Sequence, residues 1–238
     1  MYRELHVPPY EAIADNVPAV SGAPLTQHEL DEILEKHRRC VAHEKEGVWA
    51  SFKLMDLSYL DLSGKDLRTA DFTGADMRNT QLAGANLSDT IMFAVDLRQA
   101  NLTHAQMDWI DLRSSSLRRA NLSHASLIEA DLRAGRLYNR DSHGEYRTVR
   151  DKRSLTDLAA AILTGSDLTH AKLGDALVVE TDLTDANLSE VSLERADMTS
   201  SILTGANLAG SDLSDTNMTD VILRGAVLTG APISKVPI

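Results

Sequence analysis

Residues 70–89 read ADFTG ADMRN TQLAG ANLSD, and in each block of five a large apolar residue stands third while Ala or Thr stands first. Taking the large residue as a centre, the register runs outward through Phe52, Leu57, Leu62, Leu67, Phe72, Met77, Leu82, Leu87, Met92 and Leu97 to Leu137, 18 centres without a miss. It restarts at Leu158 and continues through Leu163, Leu168, Leu173 and Val178 to Ile233, giving 16 more. Two residues before the centre lies a second column that is nearly always small, as at Ala85, Ala100, Ala120, Ala171, Ala186 and Ala206.

No straight element accommodates this period. On an α-helix, five residues at about 100° each rotate successive leucines by roughly 140°, spreading them around the whole surface. On a strand, side chains alternate with period two, so an odd spacing throws each successive leucine to the opposite face. The chain therefore turns about once every five residues, with the centre and the small residue pointing inward. Eight of the thirteen glycines fall two residues after a centre, among them Gly64, Gly74, Gly165 and Gly205, where a tight corner calls for positive φ.

The blocks ANLSD from Ala85, ANLTH from Ala100, ANLSH from Ala120 and ADLRA from Ala130 follow the pattern A-(D/N)-L-x-x. In this the chain resembles the pentapeptide-repeat family from about residue 50 to 233. The resemblance implies an all-β solenoid, a right-handed quadrilateral β-helix with four pentapeptides per coil. On that geometry 34 centres make between eight and nine coils, a rod about 40 Å long at about 4.8 Å per layer.

The organisation expected along the chain is an N-terminal extended arm over 1–24, a capping α-helix within 25–48, a first repeat block over 49–137, an interruption at 138–157 and a second block over 158–238. Thr26 and Glu29 form a T-x-x-E capping box, and Leu30, Ile33, Leu34, His37 and Val41 follow on one helical face. That helix should lie across the first coil near Trp49 and Phe52. His37 and Cys40 read as packing residues. At the other end Pro232, Ile233, Val236, Pro237 and Ile238 either fold over the open core or meet a second copy of the chain.

The interruption YNRDSHGEYRTVRDKRSLTD holds five basic and four acidic residues. It reads as a degraded coil with a bulge or as a projecting loop, and loops on rigid scaffolds often carry function. Arg140, Tyr146 and Arg150 are its candidate partner-binding residues.

With residues 20 apart stacked above one another, Arg78, Arg98 and Arg118 form a basic column, with Asp76 and Asp96 on the same side. The column is either self-neutralised or a site for an acidic partner. A second column of Ile162, Asp182, Ile202 and Ile222 occupies a normally polar position, so Ile202 and Ile222, with Ile233, Val236 and Ile238, are candidates for self-association. His104 and His124 stack likewise but lack further ligands, and no metal site or cofactor is expected.

Net charge is -11, from 35 acidic and 24 basic residues, which disfavours direct contact with nucleic acid or an anionic membrane. The acidity is uneven: residues 158–238 hold 11 acidic and four basic residues, against 11 and 10 in 52–137. Cys40 is the only cysteine, and the first 25 residues lack the basic and apolar regions of a signal peptide, so a cytoplasmic protein is expected. No phosphate loop, nucleophile elbow or metal motif appears, and a leucine-filled coil offers no concave pocket. The reading is a non-catalytic scaffold for protein–protein interaction, with a homodimer as a further expectation. The alternative implied by the resemblance is a DNA-mimicking rod that binds DNA gyrase and protects against quinolones.

Overall fold

A computed structural model describes residues 24–135, 137–140, 146–149 and 154–231. From residue 51 onward the chain winds as a parallel solenoid. The residue before each centre bridges its counterpart one coil later, as in Ser51↔Asp71, Asp71↔Ile91 and Asp76↔Asp96. Bridges 20 residues apart on a five-residue face make four faces per coil. We name each face by its first centre: Phe52, Leu57, Leu62 and Leu67.

Each feature of the pentapeptide has a physical role in this winding. The centre is buried, with Leu57, Leu62, Leu67, Leu97 and Leu122 all at zero exposure. Its N–H donates to the next coil, as from Phe52 to the Asp71 carbonyl at 2.7 Å. The Asp or Asn before it accepts, through Oδ1, the N–H two residues on; Asp56 does so from Ser58 at 2.9 Å, an Asx turn that fixes the start of the corner. The corner closes with a bond from the third residue after the centre back to the centre, as from Met55 N–H to the Phe52 carbonyl at 3.1 Å.

Except at Ala134, where the insertion begins, the residue two after each described centre has positive φ, the requirement of a type II turn. Glycine fills this place at Gly64 and Gly74, but Asn79, Asp89, Thr69 and many others adopt it too. Glycine thus marks only a minority of the corners. Where the small inward residue is Ser or Thr, its hydroxyl is satisfied inside the coil. Thr80 Oγ1, fully buried, donates to the Met77 carbonyl at 2.7 Å.

Helix α1, Gln27–Val41, caps the first coil. Thr26 Oγ1 accepts from the Glu29 N–H at 3.3 Å, and Glu29 Oε2 accepts from the Thr26 N–H at 2.8 Å. Leu30, Leu34 and His37 are buried beneath the helix, and each leucine contributes about 1.5–3 kcal/mol through burial. The segment entering α1 also supplies a partner rung. Leu25 N–H donates to the Asp56 carbonyl at 3.0 Å, and Gln27 pairs with Asp61. His37 Nδ1 accepts from the Ala50 N–H at 3.1 Å.

Among the described residues of the interruption two short strands pair, while the stacking of the coils continues past them. Strand β1, Leu137–Arg140, pairs antiparallel with β2, Tyr146–Val149, in the register Leu137↔Val149 to Arg140↔Tyr146. Leu137 is therefore the first residue of β1 and lies outside the column of centres. The bridge Ser116↔Asp157 spans 41 residues in place of 20 while the stacking continues unbroken. The insertion sits at the corner between the Phe52 and Leu57 faces.

Buried hydroxyls clamp its neck. Thr156 occupies the small inward position, accepts from the Ser114 N–H at 3.0 Å and donates towards the Arg133 carbonyl at 3.0 Å. Ser114 Oγ donates to the Ser154 carbonyl and accepts from the Gly135 N–H. Gly135 is required here by close approach, because a Cβ would stand 2.1 Å from Ser114 Oγ.

The last described coil differs from the first. Val221, Leu223, Ala226 and Leu228 are only partly buried, and the N–H groups of Met218, Leu223 and Leu228 make no backbone bond among the described residues.

Candidate functional site

The Leu57 face carries the basic column. Arg78 folds back over its own coil, Nε donating to Asp76 Oδ1 at 2.8 Å and Nη2 to Oδ2 at 2.5 Å. Arg98 does the same with Asp96 at 2.8 and 2.5 Å. Arg78 Nε also lies 3.8 Å from Asp96, so the two pairs form a continuous ladder. Arg118 breaks the pattern because Ser116 stands where Asp is expected; its Nη1 reaches Asp157 of the next coil at 3.1 Å.

Burial alone pushes the Asp76 carboxyl up, but the hydrogen bonds and charge of Arg78, with Arg98 nearby, hold it below the usual carboxylate range. The same bond to Asp76 raises Arg78 above its ordinary value. The ladder is thus internally compensated at Arg78 and Arg98.

Beside these arginines the corner residues of the same face form a second column, Tyr59, Asn79, Gln99 and Arg119. Together the two columns line an open groove of about 360 Å³. Tyr59 is 76% exposed at its N-terminal end. Arg119 stands at the other end, and among the described residues only its neighbour Arg118 has an ion-pair partner there, Asp157. Sequence columns drawn at a single position miss this second row, since a corner residue joins its neighbour's groove only once the turn points it outward.

Of the other candidates in the interruption, Arg140 and Tyr146 are paired across the hairpin nearest its tip, and Arg150 lies outside the described residues. On the Leu62 face, Ile162, Asp182, Ile202 and Ile222 stand in one bridged column. The three isoleucines are 42, 36 and 50% exposed. Ile233, Val236 and Ile238 lie outside the described residues. His104 and His124 stack with ring centroids 5.1 Å apart. Among the described residues no group of three or more His, Cys, Asp or Glu side chains is placed to hold a metal ion, and no helix is long and apolar enough to cross a membrane.

A filled core, four flat faces and chemistry confined to surface columns define a β-solenoid built from five-residue units. The chain matches the family described as pentapeptide repeats in eight copies, over residues 50–89, 94–119, 100–139, 161–199 and 201–236, and it belongs to that family.

Several solved structures are similar to it. The pentapeptide repeat protein Rfr23 from the cyanobacterium Cyanothece 51142 is 27% identical, with 47% of this chain and 63% of that one covered and a TM-score of 0.38. The chain thus spans somewhat under two thirds of that relative. HetL from Nostoc sp. strain PCC 7120, a pentapeptide repeat protein involved in heterocyst differentiation regulation, is 24% identical over 90% of this chain and 97% of that one, with a TM-score of 0.34. QnrB1, a plasmid-mediated fluoroquinolone resistance protein, is 13% identical over 79% of this chain and 90% of that one, with a TM-score of 0.39. No curated protein matches the chain.

Proposed function

We propose that this protein is a non-catalytic cytoplasmic scaffold, wound right-handed as its family implies, that recognises a protein partner with an acidic surface through the groove on the Leu57 face. The observation that carries this reading is the juxtaposition of four guanidinium groups and the exposed Tyr59 in one groove, with Arg119 lacking a counter-ion among the described residues. Arginine and tyrosine are the residue types that anchor interfaces. The rigid coil fixes their backbone positions, so the ordering cost on binding is confined to the side chains.

The test uses a fluorescein-labelled decapeptide of alternating Glu and Phe against the full chain, read by fluorescence anisotropy. Wild-type binding that weakens with salt, and a loss of about tenfold or more in R118E/R119E, is expected. Equal binding by wild type and variant overturns the reading.

The alternative, a DNA-mimicking rod that binds DNA gyrase, is favoured by the net charge of -11 and opposed by the arginine column. Supercoiling by purified gyrase separates the two. Inhibition at micromolar protein supports mimicry, and its absence leaves the scaffold.

A further inference from the structure

We propose that the C-terminal half of the Leu62 face binds the same face of a second copy of this chain, in a twofold contact that reverses coil order and sets Ile202 of each copy on the axis. The proposal does not depend on the arginine groove, which lies on the neighbouring face.

The position before a centre normally holds Asp or Asn, whose carbonyl or carboxylate oxygen braces the corner, as Asp167 does for Thr169. On the Leu62 face it is instead Ile162, Ile202 and Ile222, all exposed and in line. These isoleucines forgo a corner bond and gain no burial within one copy. Val227, 45% exposed, extends the apolar surface towards the next face.

Two charges select the occupant. Asp182 interrupts the isoleucine column, and Arg224 stands on the same face two coils further on, about 10 Å away along the axis. Among the described residues neither forms an ion pair; the Asp182 carboxylate accepts only the Thr184 N–H, at 3.0 Å. A second copy placed with coil order reversed about Ile202 brings the coil of Asp182 level with that of Arg224 of the partner subunit, and by symmetry the pair forms twice.

An arginine one after a centre reaching an aspartate one before a centre at the same level is a contact this chain already makes, in Arg78 with Asp76 at 2.8 Å. A copy packed with coil order preserved would set Asp182 against Asp182 and Arg224 against Arg224, which is repulsive. A contact one face wide and a few coils long belongs below about 1,200 Å² in total, so the dimer is weak and concentration-dependent.

Sedimentation velocity on the full chain, from about 1 to about 300 μM, tests this on wild type, D182R, R224D and the doubly swapped D182R/R224D. Expected is a reversible dimer for wild type, weakened about tenfold or more in each single variant and regained to within about threefold in the swap. A wild type that stays monomeric throughout, single variants that dimerise like wild type, or a swap that remains monomeric while melting like wild type would each overturn the proposal.

Discussion

The side-chain amide of Gln27 bonds the backbone of Asp61 in both directions, Oε1 accepting from its N–H at 2.9 Å and Nε2 donating to its carbonyl at 3.0 Å. These are the two bonds that a preceding coil would make to Asp61, and a single side chain before the first face stands in for it. Substituting Gln27→Ala removes both. The expected loss is about 1 kcal/mol, because the site is exposed and water replaces the bonds in part. Amide exchange at Asp61 should accelerate well before that of Gln81 one coil deeper, and equal exchange at the two would show that the amide rung contributes nothing.

His37 makes the cap sensitive to acid. It is fully buried, its Nδ1 accepts from the Ala50 N–H, and Nε2 has no partner among the described residues. Its ring meets Trp49 edge-on at 5.6 Å. Burial pushes its pKa below the ordinary 6.5, with Asp66 acting in the opposite direction and Arg68 adding to the depression. A depressed folded pKa means that the unfolded chain binds the proton first. The stabilisation is complete above about pH 6.5 and is lost as pH falls towards the folded value. Urea midpoints for wild type and His37→Phe should therefore diverge between pH 7.5 and 5.5, wild type falling more steeply.

Neighbouring residues on one face should respond in opposite ways. Leu97 is fully buried and Arg98 bonds only its own Asp96. Leu97→Asp should cost more than about 4 kcal/mol by burying a charge without a partner. Arg98→Ser should stay within about 1 kcal/mol, the worth of an exposed ion pair. Thermal melting distinguishes the two.

The hairpin should be removable. Joining Ala134 directly to Thr156 deletes residues 135–155, the excess created by the 41-residue bridge Ser116↔Asp157, and restores the five-residue step. A single cooperative transition close to that of the full chain is expected. Thr156→Val, which keeps the shape but removes the buried hydroxyl from its bonds to Ser114 and Arg133, should cost about 1–3 kcal/mol. A collapsed deletion variant would show that the hairpin contributes to the core.

The period, the inward columns and the capping box were legible because each depends on residues at most five apart. What escaped depends on contacts between coils. Leu137 satisfies the spacing of a centre, and only the break in bridging at Ser116↔Asp157 takes it out of the stacked column. The partner of Arg118 is Asp157, 39 residues away across the insertion. Arg119 and Tyr59 join Arg118 and Arg78 only when corners and faces are placed in three dimensions. Gln27 gives no local sign that it imitates a backbone rung.

The asymmetry between the two ends of the described solenoid makes it a one-dimensional lattice with a seeded terminus. Each coil offers the next a ready template of donors and carbonyls, and α1 closes the stack behind Phe52, whereas among the described residues the N–H groups of Met218, Leu223 and Leu228 meet no further coil. Order should nucleate at the cap and add coil by coil in the direction of synthesis. Mechanical load applied beyond Ala231 should peel the stack in steps of 20 residues, with a longer release when the 41-residue span gives way.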